Sequence, residues 1–119
     1  MGQVEQHDAL KLASEAVRPR FFLRLATQLD QMRVSKKNID LSKGVASSLE
    51  TISEITHKIA GIADFVGHRE LGISAAILDE NIFRFIQSGL QEDTSAKLKF
   101  EICAFIDQCD SILVHQNDG

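Results

Sequence analysis

The residue in this 119-residue chain best placed to do chemistry is His57, in the run Glu54-Ile55-Thr56-His57-Lys58-Ile59-Ala60-Gly61. Near pH 7 a neutral imidazole offers one unprotonated ring nitrogen, so an exposed histidine is a ready nucleophile toward an electrophilic phosphorus. Exposure can be argued from periodicity. With Ile59 at the middle of a buried helix face, Ile52, Ile55, Ile62, Ala63 and Val66 fall within about 60° of it, whereas His57 falls about 160° away. Glu50, Ser53, Glu54, Gly61 and Asp64 share that outer side. Gly61 stands one turn beyond His57, where glycine costs about 1 kcal/mol relative to alanine and the apolar stripe has no need of it. It reads as clearance beside the imidazole for an approaching partner.

No other set of residues competes. His7, His68 and His115 have no spacing with Asp, Glu or Cys that makes a metal-ligand set, and His68 falls at the start of a helix. There is no Gly-rich phosphate loop and no Ser/His/Asp order, so neither a resident metal nor a cofactor is expected. A lone histidine on a helix is most often merely solvated, so spacing alone establishes an exposed imidazole on a helix and no reaction.

The elements that carry His57 follow from the same periodicity. Leu12, Ala13, Ala16 and Val17 suggest a short leading helix before Pro19, the only proline. Pro19 suits a helix start, and Phe22, Leu25, Ala26, Leu29 and Met32 form the first bundle stripe. Val34 to Asp40 reads as a connection, with Asp40 or Ser42 as the next cap. Ser42 to Val66 is a long second helix, stopped by Gly67 at a tight connection. Leu71, Ala75, Leu78, Ile82 and Phe85 form the third stripe, ended by Gly89. After Gln91 to Ser95, the residues Leu98, Ile102, Phe105, Ile106, Cys109 and Leu113 form the fourth, with a frayed tail from His115. No segment alternates with a period of two. The expected fold is an all-α, antiparallel up-down four-helix bundle over residues 19–114, with an extension at 1–18 and a tail at 115–119.

Composition narrows the function classes. The chain is 44% hydrophobic and 25% charged with a net charge of -4, and its basic residues are scattered, so nucleic acid is not an expected partner. No long apolar run or cleavable leader pattern is present, so membrane spanning and export lack support and a cytoplasmic location is expected. Cys103 and Cys109 are separated by about 600° of helix rotation and read as reduced core thiols rather than a bridge.

The segment His57-Lys58-Ile59-Ala60-Gly61, followed by Gly67 and Leu71, resembles the signature of the histidine phosphotransfer (HPt) family: His, any residue, Leu or Ile, usually Lys, Gly, and a second Gly six residues on. The likeness extends to Phe21-Phe22-Leu23, to Leu78-Asp79-Glu80 and to the helix order, covering roughly residues 19–114. It implies a free-standing phosphorelay protein that carries a phosphoryl group on His57 between the receiver domains of response regulators and a (hybrid) histidine kinase. By the same resemblance, Mg²⁺ and the acidic pocket belong to the receiver. No dimer is required, so a monomer is expected.

Two positions depart from the family pattern. Ala60 stands where a lysine is usual, and Asp79 where a glutamine often lies near the ring. Lys58, about 100° around the helix from His57, is a partial substitute at best. Asp79 is expected to repel a phosphoryl group unless turned away. Glu54 and Asp64 flank His57, and the apolar Ile73, Ala76 and Ile77 of the third helix are candidate docking residues, although they could equally cover a connection or pack on the leading helix. The rival expectation, motivated by Ala60 and Asp79, is an interaction or inhibitor module of the same fold that binds a receiver or kinase without transferring phosphate. The phosphorylated domain of a larger kinase is a further alternative.

Overall fold

The computed structural model describes the backbone of residues 2–89 and 92–118 and the side chains of residues 8–89 and 96–116. The described residues form four α-helices and no strand: α1 (Gly2–Asp40), α2 (Val45–Ile62), α3 (Arg69–Gln87) and α4 (Glu92–Asp118). Helices α1 and α3 each pack on both α2 and α4, so the four surround a single core. Leu25, Met32, Leu49, Ile52, Ile82 and Ile102, all sealed from solvent, form its centre. These are the stripe residues expected from spacing, and their burial is the main driving force for association of the helices.

The first helix departs from expectation at both ends. No break occurs at Pro19, and α1 is one helix from Gly2 to Asp40. An interior proline removes a backbone donor and crowds the preceding turn, at a cost of about 3 kcal/mol. Contacts on both sides offset that cost: Val17 packs on the core, Ser14 Oγ donates to the carbonyl of Phe65 at 2.7 Å, and Phe21 and Phe22 are buried. Leu12, Ala13 and Ala16 of the expected leading stripe are exposed. The connection expected at Val34 to Asp40 is instead the end of α1. The buried row continues from Met32 through Ser35 to Ile39, so Lys36 and Lys37 belong to two more helical turns, Lys37 exposed and Lys36 largely covered. Neither candidate cap serves α2. Asp40 pairs with Lys36 Nζ at 2.6 Å, and the cap position is Gly44, with no side-chain hydrogen bond.

Helix α2 ends at Ile62, short of the expected Val66, and the connection expected at Gly67 is a five-residue turn that closes there. Residues 63–67 form a turn in which Gly67 takes φ 89°, a conformation L side chains resist, and the amide of His68 donates to the carbonyl of Ala63 at 2.8 Å. His68, at the cap of α3, anchors this turn to α1. Its ring stacks on Phe21 at 6.0 Å and meets Phe22 edge-on at 5.5 Å. Its Nε2 is buried without a hydrogen-bond partner, and burial, reinforced by the charge of Arg18, lowers the pKa of the ring. Four residues after His68, Gly72 is buried, with the methyl of Ala63 only 3.4 Å from where its Cβ would stand, so α3 lies close against the end of α2.

The cysteines need one correction. Cys109 is a core thiol, its pKa pushed up to about 12 by burial, but Cys103 is exposed. At the chain end, α4 runs on to Asp118 through the tail expected to fray, and it begins inside the expected link Gln91 to Ser95. Among the described residues, no helix is long and apolar enough to cross a membrane.

Candidate functional site around His57

The short turn at Gly67 folds α3 back along α2 and brings residues 22 positions apart into contact. His57 stands on the outer face of α2 with 82% of its side chain exposed, and its Nδ1 lies 3.3 Å from Asp79 Oδ2 on α3. The other carboxylate oxygen of Asp79 accepts a 2.6 Å hydrogen bond from Ser53 Oγ, one turn before His57 on α2. Asp79 is itself three-quarters covered. Ser53 and Asp79 thus form a braced pair against which the ring rests.

That arrangement selects a tautomer. An ionised carboxylate only accepts, so the ring nitrogen facing Asp79 carries the hydrogen and Nε2 keeps the lone pair. The ring stands in an open concavity whose small-residue lining is Ala60, Gly61 and Ala76 and whose far wall is Phe83, 62% exposed. A Cβ added at Gly61 would meet no atom within 4 Å, so the absent side chain leaves open space beside the imidazole and relieves no crowding within the chain. Behind His57, Thr56 is fully buried, its hydroxyl donating to the carbonyl of Ser53 at 3.0 Å. The histidine therefore projects from a helix whose opposite side is fastened into the core.

The expected site residues do not gather in one place. Gly61 and Ala76 lie beside the ring. Glu54 and Lys58 line a groove between α1 and α2 with Arg24 and Thr27, and Asp64 is exposed in the α2–α3 turn. Ile77 turns to a groove between α3 and α4 that also holds Phe100, and Ile73 is half-exposed outside the concavity of His57. Lys58 is thus not the cation next to the imidazole, and Ile73 and Ile77 do not share its concavity. Asp79, expected as a repulsive substitute, engages the ring. Sequence reasoning missed Ser53 as its brace, and also Glu80 and Phe83. The signal for them was present: Ala76, Glu80 and Phe83 are spaced four and three on α3, a second row beside the buried one.

Charge around the ring is negative. Asp79 and Glu80 line the concavity, which has no lysine or arginine in its lining, and Glu80 holds Arg84 in an exposed pair at 2.8 Å. Chemically, the site offers one accessible, oriented imidazole nitrogen with open space on one side. Among the described residues, no three His, Cys, Asp or Glu side chains are grouped to hold a metal ion. Comparison with protein-family models, curated proteins and solved structures finds no match to the chain.

Proposed function

We propose that this protein is a histidine-containing phosphotransfer protein of the HPt type, an antiparallel up-down bundle in which His57 exchanges a phosphoryl group with the aspartates of response-regulator receiver domains. The observation that carries the proposal is the exposed imidazole held at Nδ1 by Asp79, with open space over Gly61. In the forward step Nε2 attacks the phosphorus of an aspartyl phosphate. The bond from phosphorus to the carboxylate oxygen breaks, its electron pair leaves with the aspartate, and an N–P bond forms. Positive charge develops on the ring, and the Nδ1 hydrogen stays against Asp79. The Mg²⁺ and the charges that steady the moving phosphoryl are the receiver's contribution. The protein works in the cytoplasm as a monomer, between a histidine kinase and a regulator.

The test is to mix the protein with a phosphorylated receiver domain and look for acid-labile, base-stable phosphate. Label on the wild type and none on His57→Gln is the expected result; no label from several competent receivers that do bind refutes it.

A second proposal is favoured by the lack of a cation in the lining of the concavity. On that account the bundle binds a receiver or kinase as an inhibitor, and His57→Gln keeps both partner affinity and biological effect.

A further inference from the structure

We infer that Asp79 makes the phosphorylated form of His57 short-lived and quick to donate. The role this gives the protein rests on the carrier function proposed above, but the chemistry of Asp79 can be measured without a partner. Attack by Nε2 while Nδ1 keeps its hydrogen produces a phosphoimidazolium, a ring with one positive charge bearing the phosphoryl group. If the Nδ1 proton is retained, the reverse cleavage returns the N–P electron pair to Nε2 and releases a neutral imidazole. If the proton has been lost, the same cleavage must expel an imidazolate, a far poorer leaving group. The lifetime of the N–P bond therefore depends on what faces Nδ1.

Here the group facing Nδ1 is a carboxylate at 3.3 Å, braced by Ser53 at 2.6 Å. A carboxylate can only accept, so it stabilises the protonated, reactive ring. An amide at the same place could donate to a bare Nδ1 and support the unreactive form. The surroundings act in the same direction. On α3, Asp79 and Glu80 face the concavity and Arg84 is occupied by Glu80; on α2, Glu54 and Lys58 line the α1–α2 groove. With Asp79 engaged at Nδ1, the lining offers the phosphoryl oxygens the carboxylate of Glu80 and no cation, which weakens the phosphorylated ground state. Both effects speed transfer to whatever acceptor is present, a receiver carboxylate or water.

The experiment phosphorylates the full chain with potassium phosphoramidate, a small P–N phosphoryl donor, and follows site occupancy by peptide mass spectrometry. Phosphate on His115, exposed on α4 with Nδ1 at 2.7 Å from the Ser111 carbonyl, serves as an internal reference. Phospho-His57 is expected to hydrolyse about three- to fivefold faster in wild type than in Asp79→Asn, the size of effect one exposed charge pair supplies. Asp79→Glu should restore the fast decay, and the decline of the rate with rising pH should begin at higher pH in wild type than in Asp79→Asn. Equal lifetimes in wild type and Asp79→Asn overturn the inference, as does failure of His57 to react while His115 does. Failure of receivers to label a protein that shows these lifetimes refutes the carrier role and leaves the chemistry of Asp79 intact.

Discussion

Replacing Gly61 separates what the bundle needs from what its partner needs, because the two requirements predict opposite signs. The glycine lies within α2, takes no positive φ, and has nothing within 4 Å of the place its Cβ would occupy. Gly61→Ala therefore meets no steric cost and gains the intrinsic helix preference of alanine, about 1 kcal/mol. Unfolding entropy of about 2.1 cal/mol/K per residue makes that gain a rise of roughly 4 °C in Tm for a chain of this length. Thermal and urea unfolding followed by circular dichroism measure it directly. A larger side chain keeps most of the helix gain and fills the space beside His57. Gly61→Leu should fold at least as well as wild type, yet accept phosphate from a phosphorylated receiver at least tenfold more slowly. A fall in Tm for Gly61→Ala would show that the position is not open. Transfer by Gly61→Leu at the wild-type rate would show that no partner approaches over it, and the clearance argument would fail.

Other consequences can be checked with the same preparations. His57→Gln should leave stability within about 0.5 kcal/mol of wild type by urea unfolding, since the ring is 82% exposed and outside the core. His68 gives a pH dependence of the opposite origin. Its folded-state pKa lies below 6.5, so as pH falls through 6.5 the unfolded chain binds the proton first and stability is lost. Urea midpoints at pH 7.5 and 5.5 should differ more for wild type than for His68→Phe, and equal slopes would remove His68 as the cause. An aromatic disulfide reagent should titrate one thiol quickly in the native protein, exposed Cys103, and a second only on unfolding, because Cys109 is buried with its pKa raised to about 12. Ile82→Ala, at a position with no solvent exposure, should cost about 2 to 5 kcal/mol, in contrast to the surface changes above.

The stripes were legible because burial imposes a period. Ile52, Ile55 and Ile59 on α2, Ala63 just past its end, and Leu71, Ala75, Leu78, Ile82 and Phe85 on α3 are core residues as their spacing required. Gly67 was legible as a turn residue because its left-handed φ favours glycine, although the helix it was expected to end stops five residues earlier, at Ile62. The errors lie where local preference and tertiary packing compete. Pro19 is a sound local signal for a helix start, but Val17, Phe21 and Phe22 pack on either side of it and hold the helix through. Lys36, Lys37 and Asn38 look like a loop until Ser35 and Ile39 are counted as members of the buried row. Cys103 looked like a core thiol because cysteine is usually buried, whereas its rotation from Cys109 had already placed it on another face.

The site was legible on one helix and not across two. His57 and Gly61 share α2, so their exposure follows from angles along a single axis. Asp79 lies on α3, and its relation to His57 depends on the length of the Gly67 turn, the close approach at Gly72 and the rotation of α3 about its axis, none of which a period determines to within a hydrogen bond. The chemistry of Asp79 reverses over that small range. Turned toward the phosphoryl it would repel the group; turned toward Nδ1 and braced by Ser53, it selects the nucleophilic tautomer and supports the charge that develops on the ring. A carboxylate can thus stand where the family resemblance implies an amide and still leave a competent nucleophile, provided it faces the far nitrogen. The result would be a carrier that favours rapid transfer over storage.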